Sequence, residues 1–474
     1  MRLTTATELL RGASKLGRTI SRWGFFTLAF GAVVGSGWVV VLGEWLNEAG
    51  PGGTAIGFLA GGCVMVLIGL CYGELAARFS TAGGEFLYTL ETFGPRAGFL
   101  VGWYLTLYAI AICAFEAIAC GWFIRALVPT IGLRPLYTLA GTSVTLDAVL
   151  IGLIGAMGIG ALHYRGGRSA IGFQNIVTFG FIAVSLGLIV VGLSLGSPAN
   201  LRPLWATTTD HSWLTGALWI FPTCAFFLNG WQTALHAIEE RRSDVTVRAA
   251  VLSMVAAIFA TAVFYIGITL SAASMIPWAQ LVHKDLAASA AFAAVGLKGV
   301  LGLVVLAAAV VSLTKTWSAM AWLGSRILFA QARHGFLPRF FTTVDARSGA
   351  PRPAIVAVTV LTMAGSLLGR GAILPIVDMV SLCMALSLVL CMIVLLKRRR
   401  IDLHPPSFTV PGGKPVIMLA LIGGVLMIGL ALLQPILRGT HEIPLQWILL
   451  LTWGAVGLVV WRGTRGQRSR ARIE

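Results

Sequence analysis

Three ionisable side chains sit inside stretches that are otherwise apolar. Glu116 lies in Ile112-Cys113-Ala114-Phe115-Glu116-Ala117-Ile118-Ala119-Cys120, Lys315 in Ser312-Leu313-Thr314-Lys315-Thr316-Trp317-Ser318, and Asp378 follows Pro375. A charged group deep in a bilayer costs about 2.5–3.5 kcal/mol on insertion scales, so each is a candidate for function. A carboxylate at Glu116 would attract a cationic group in a poorly screened cavity, or carry a proton. It could equally be a neutral acid bonded to a neighbouring helix. An ammonium at Lys315 would stand in for a metal cation, lose a proton, or pair with Glu116. Asp378 lies near the edge of its segment, where it would line a pocket or cap a loop. His236 and Glu239 are three apart, the reach of a metal pair on a helix, but two ligands do not complete a site. No HExxH, GxSxG or GxxxxGK[ST] pattern is present, so neither an enzyme nor an ATP-driven pump is expected.

The elements holding these groups follow from composition. Of 474 residues, 57% are apolar and 11% charged, whereas soluble domains carry about 25% charged residues. This excludes a soluble enzyme, a nucleic-acid binder and a disordered chain. A spanning helix needs about 20 apolar residues, and twelve such segments are expected: 24–46, 54–79, 97–127, 144–163, 170–195, 213–238, 248–272, 298–325, 353–369, 372–396, 415–435 and 444–461. Twelve crossings place both termini on one side. Most of the 35 Lys and Arg residues then fall on that side, which makes it cytoplasmic. The basic clusters Lys397–Arg400 and Arg462–Arg472 are topology signals on this reading, with no nucleic-acid partner. The first apolar run is too long for a signal-peptide core and is expected to be retained. All seven cysteines fall in spans, and there is no Asn-x-Ser/Thr sequon. Both absences fit a bacterial inner membrane, without disulfides, metal or cofactor.

Two spans carry unusual backbone. Gly31-Ala32-Val33-Val34-Gly35-Ser36-Gly37 interrupts the first, and Phe226-Phe227-Leu228-Asn229-Gly230-Trp231 the sixth. Tight helix packing would use glycines in this way. The two positions also begin the halves of a five-plus-five arrangement, where the broken helices of an inverted-repeat transporter belong. An unwound segment frees N–H groups at one end for an anion and carbonyls at the other for a cation.

Gly31-x-x-x-Gly35-Ser36-Gly37 resembles the first-span motif of the amino acid–polyamine–organocation transporters. Tyr72-Gly73-Glu74-Leu75-Ala76-Ala77-Arg78-Phe79 with Ala82-Gly83-Gly84-Glu85-Phe86 is similar to their second-span end and following loop. Ile238-Glu239-Glu240-Arg241-Arg242 resembles the acidic close of their sixth span. Ser325-Arg326 and Ala332-Arg333-His334-Gly335-Phe336-Leu337-Pro338 resemble the loop after their eighth. The likeness covers residues 24–400.

The resemblance implies an all-α integral membrane protein with twelve transmembrane helices, a LeuT-type 5+5 inverted repeat and broken helices 1 and 6. The expected divisions are a tail (1–23), a first repeat (24–195), a second repeat (213–396), two further spans (415–461) and a basic tail (462–474). The resemblance also implies a permease working by alternating access. Its ligand would be an amino acid held between spans one, three, six, eight and ten, expected here to carry a cationic or amine group. The alternative is an amine, polyamine or ethanolamine carrier of the same fold; a channel or a non-transporting sensor ranks below both.

The expected substrate contacts are Gly31, Val34, Gly35, Ser36, Gly37, Trp38, Cys113, Glu116, Phe226, Asn229, Gly230 and Trp231. Phe226 matches an aromatic gate, and Trp38 would narrow the pocket. Sodium-coupled relatives hold their cation between the first and eighth spans, whereas sodium-independent ones place a fifth-span lysine there. Here the matching position is Phe181, so Lys315, with Thr316 and Glu116, is the expected coupling site, with protons as a partner. Glu74, Glu85, Glu239, Glu240, Arg326 and Arg333 are expected to pair at the cytoplasmic ends. The oligomeric state is left open.

Overall fold

Apolar chain in a bilayer must satisfy its backbone internally, so each span is expected to wind into a helix. The computed structural model describes residues 16–79, 83–128, 134–139, 142–206, 213–294, 299–402, 404–437 and 445–466. In chain order its helices are α1 (Arg22–Val33), α2 (Gly37–Val40), α3 (Leu42–Arg78), α4 (Gly84–Phe93), α5 (Pro95–Leu127), α6 (Leu146–Tyr164), α7 (Gly167–Leu195), α8 (Trp213–Ile220), α9 (Cys224–Phe227) and α10 (Thr233–His236). They continue with α11 (Val247–Met275), α12 (Ala287–Ala294), α13 (Val300–Arg333), α14 (Arg352–Ser366), α15 (Ile373–Ile401), α16 (Gly413–Leu437) and α17 (Leu445–Gly463). Among the described residues nine helical stretches are long and apolar enough to cross a membrane. Three shorter apolar helices, Leu214–Phe227, Arg352–Ser366 and Trp447–Gly463, fall at expected spans six, nine and twelve.

Among the described residues the structure departs from the all-helical expectation in one place. Strands β1 (Pro135–Leu139) and β2 (Thr142–Thr145) pair antiparallel between α5 and α6. Their Thr, Tyr and Val residues favour extended backbone. A second difference lies between spans one and two, where α3 runs from Leu42 to Arg78 with a kink instead of a loop. Pro51 cannot donate an amide to the helix, and Gly50 takes a φ of 68°. A side chain there would meet the Leu204 carbonyl oxygen at 2.7 Å and the Ala206 amide nitrogen at 2.8 Å, so only glycine fits.

The interruptions fall where the glycines place them. The first span winds as α1, breaks at Val34–Ser36, and resumes as α2. The sixth winds through α8 and α9, breaks after Phe227, and resumes as α10. Around the first break, α1 packs against α7, α11 and α13, while α13 packs along α5. The groups named in α5 and α13 are thereby brought to the break. The last two helices lie outside this core: α16 packs on α15 and α3, and α17 on α15 and α5. Ala82 and residues 467–474 of the motifs above lie outside the described residues, as does the side chain of Asp378.

Candidate functional site

A helix end leaves carbonyls without amide partners and gathers partial negative charge. At the end of α1, α13 supplies the donors. Its Ser312, Lys315 and Thr316 share a face, being three and four residues apart. Lys315 Nζ donates to the Val34 carbonyl, and the Gly31 carbonyl lies 3.4 Å away. Thr316 Oγ1 stands 2.8 Å from Gly31 O and 3.0 Å from Val34 O. Ser312 Oγ lies 2.8 Å from the carbonyls of both Val34 and Gly35. The Lys315 ammonium is fully buried and sits 4.6 Å from the centre of the Phe181 ring, a cation–π distance. Lys315 and Glu116 lie within electrostatic range of one another but make no ion-pair contact. The ammonium is turned to the broken helix instead.

Glu116 on α5 reaches the same break from another side. It is 2% exposed. A Cβ at Gly35 would stand 2.9 Å from its Oε1, so the carboxyl lies directly against the unwound segment. Its Oε2 is buried without a hydrogen-bond partner, as is the hydroxyl of Ser36. Beyond them α2 begins, and its first amides have no carbonyl one turn back to bond. The break therefore presents carbonyls already bonded by α13 on one side. On the other it presents one carboxyl oxygen of Glu116 and the Ser36 hydroxyl, both without partners.

The sixth-span break meets the first at Gly230. Its φ is 113°, and a side chain there would meet the Ala32 carbonyl oxygen at 2.7 Å. Asn229 is occupied by its own turn: Nδ2 donates to Ala225 O at 3.0 Å, and Oδ1 accepts from the Gly230 amide at 2.6 Å. Gln232 Oε1 accepts from the same amide at 3.0 Å.

Other expected contacts stand in packing. Trp38 lies edge-on to Phe264 at 5.7 Å and beside Phe181 at 6.2 Å. Trp231 is buried against Tyr72 at 5.0 Å. Cys113 Sγ lies 3.9 Å from Trp317 O, and Gly31 gives room to Gln174 and Thr178 of α7. Phe226 is half-buried and edge-on to Phe227 at 4.9 Å.

Two contributors to the site were not anticipated. Phe227 covers Gly37, where a Cβ would run into its ring, and packs on Trp45 at 4.9 Å. Nothing in the Phe-Phe pair singles it out. Ser312 could have been found, since it precedes Thr316 by one helical turn.

Beneath the breaks, the face carrying most of the basic side chains is tied shut. Arg326 forks onto Glu240 at 2.8 and 3.0 Å and stacks 3.7 Å from the centre of the Trp322 ring. The Glu240 carbonyl accepts from the amides of Thr19 and Ile20 at 2.9 and 3.0 Å. Arg333 pairs with Glu239 at 3.1 Å. Glu74 bonds Arg78 at 2.9 Å, the Val410 amide at 2.8 Å, and Arg399. His236 is bonded to Glu85 rather than aligned with Glu239. Among the described residues no group of three or more ligands could hold a metal. Burial and the neighbouring Arg333 hold the His334 imidazole down to about 4.

Comparison with known proteins agrees with this architecture. A family model described as amino acid permease matches residues 20–456. The chain is 26% identical over 469 residues to the methylthioribose transporter of Bacillus subtilis (strain 168), covering 96% of this chain and 95% of that protein. It is 25% identical over 466 residues to the branched-chain amino acid permease BcaP of the same organism, covering 95% and 93%. It is 27% identical over 348 residues to the chloroplastic cationic amino acid transporter 9 of Arabidopsis thaliana, covering 72% and 59%.

Proposed function

Because the chain belongs to the amino acid permease family, and so is a transporter and not an enzyme, we propose that it is a secondary carrier moving an amino acid with a cationic or amine-bearing side chain. The observation that carries this reading is Glu116. Its carboxyl lies against Gly35 on the unwound segment, with one oxygen buried and unpartnered, while the nearby ammonium of Lys315 is bonded to carbonyls of α1. Lys315 lies within electrostatic range of Glu116 but is bonded to α1, so the carboxyl has no ion-pair partner in contact. That is costly for a buried charge, and a cationic ligand would supply the contact. The relatives are named for methylthioribose, branched-chain amino acids and cationic amino acids in turn, and Glu116 is the side chain that favours the last of these.

The ligand's carboxylate would sit on Ser36 and the first amides of α2, where a helix N-terminus favours an anion. Lys315 would take the place of a coupling metal ion at the carbonyl end of α1, making transport independent of sodium. The two repeats, 24–195 and 213–396, would rock about this point. The basic face would be cytoplasmic, in a bacterial inner membrane, and the bonds of Glu240 would close it.

A thermal-shift screen of the purified protein tests the substrate class, since a ligand that binds only the folded state raises apparent stability. Arginine, lysine or ornithine should raise the melting temperature, and leucine and alanine should leave it in place. Stabilisation by neutral amino acids alone would overturn the assignment. Stabilisation by putrescine or ethanolamine alone would move it to amines.

A further inference from the structure

His236 and Glu85 meet at the basic face without belonging to the site above. His236 ends α10, the inner half of the broken sixth span, and Glu85 opens α4, the short helix after α3. Imidazole Nε2 bonds Glu85 Oε2, and both side chains are 1% exposed. Their remaining polar atoms, Glu85 Oε1 and His236 Nδ1, are buried with no partner. A Cβ at Gly84 would collide with the imidazole, and Gly84 has a φ of 48°, so α4 begins on the ring itself.

Neutral or already paired groups surround the contact. Tyr72 of α3, Tyr88 of α4, Tyr108 of α5 and Cys391 of α15 lie within electrostatic range of Glu85. On α13 and just beyond it, Arg333 is bonded to Glu239, and His334 faces Phe86 of α4 at 5.7 Å. At the far end of α4, Arg398 of α15 approaches Glu91 at 4.0 Å. His236 is therefore the titratable side chain in contact with Glu85.

We propose that the Glu85–His236 pair is a proton-binding site coupled to closure of the cytoplasmic face, holding one shared proton while α10 is docked on α4 and releasing it when they part. While the face is closed, the shared proton cancels the carboxylate charge inside a dry contact, where an uncompensated anion is costly. On opening, water reaches both groups. The N–H bond of the imidazole breaks, its electron pair stays on nitrogen, and the proton passes to water on the cytoplasmic side. Closure and proton binding are thus linked, and raising the cytoplasmic pH favours opening. The buried Oε1 and Nδ1, poor companions in a purely structural pair, gain water partners in the open form.

This rests on reading the chain as a carrier whose cytoplasmic face opens, and its test needs no substrate, so a wrong substrate assignment leaves it standing. Cys391 is buried beside the pair. The full-length protein in inverted membrane vesicles is treated with N-ethylmaleimide between pH 5.5 and 8.5, and labelling at Cys391 is read by peptide mass spectrometry as a ratio to an SDS-denatured aliquot labelled at the same pH. In the native chain the labelling of Cys391 relative to the denatured aliquot should rise with pH by up to about tenfold per pH unit, the limit set by linkage of closure to one proton. In H236Q and in E85Q that rise should vanish. A flat ratio in the native chain, or the same slope in both variants, overturns the proposal. Should both variants fail to fold, the native ratio alone decides.

Discussion

Lys315 places its ammonium on the Val34 carbonyl at the end of α1, 4.6 Å from the ring of Phe181. A cation thus occupies the carbonyl end of the broken helix, supplied by α13 across from the aromatic ring of α7. Hydrogen bonds to charged groups contribute about 1.5–3 kcal/mol, so K315M should slow transport by about tenfold or more. The double variant K315M/F181K, returning an ammonium from α7, should recover part of it. Uptake by the native chain should be equal in sodium and sodium-free buffers. A requirement for sodium would remove Lys315 from the coupling role.

Gly35 and Glu116 are in steric register. A methyl at position 35 would stand 2.9 Å from Glu116 Oε1, closer than ordinary van der Waals contact. G35A should therefore lower both thermal stability and transport. E116A should relieve the loss of stability in the double variant without restoring transport. The two substitutions are in contact and should be non-additive, which a double-mutant cycle on melting temperature measures.

The Arg326–Glu240 pair is almost fully buried. Removing one partner of such a pair costs about 3–5 kcal/mol because the other charge is left alone. E240Q should accordingly lower the unfolding midpoint sharply in detergent. R326M/E240L should be markedly more stable than either single charge deletion. Equal stability of all three variants would show that the pair adds nothing to closure.

His334 supplies a pH dependence of stability. Its folded value of about 4 lies below the ordinary value of about 6.5. The unfolded chain therefore takes up the proton first as pH falls. Stability from this residue is present above about 6.5 and is lost progressively toward about 4. H334Q should flatten the fall in melting temperature across that window, while leaving the neutral-pH value little changed.

The spans and both interruptions were legible because each rests on local chemistry. Apolar length dictates a crossing, and Gly35-Ser36-Gly37 and Asn229-Gly230 cannot sustain a helix cheaply. The kink at Gly50 was not legible as such, since it depends on the close approach of the Leu204–Ala206 backbone. The β1–β2 hairpin was too short and too exposed to leave a pattern. Pairings across elements were the least legible part. His236 looked like a companion of Glu239 by spacing, yet its partner is Glu85, 151 residues away. Trp38, expected beside the pocket, is drawn into aromatic packing with Phe264 and Phe181. Both outcomes are set by how α4, α7 and α11 pack, which no local window records.

Counterflow in proteoliposomes bears most directly on the role of Glu116. Vesicles loaded with unlabelled arginine should accumulate labelled arginine through the native chain, and labelled leucine should enter slowly. E116Q should lose arginine exchange by about tenfold or more, the worth of one charge-assisted contact, while still reaching the membrane folded. Undiminished arginine exchange in E116Q, or leucine preferred by the native chain, would contradict the assignment of Glu116 as the group that selects the substrate.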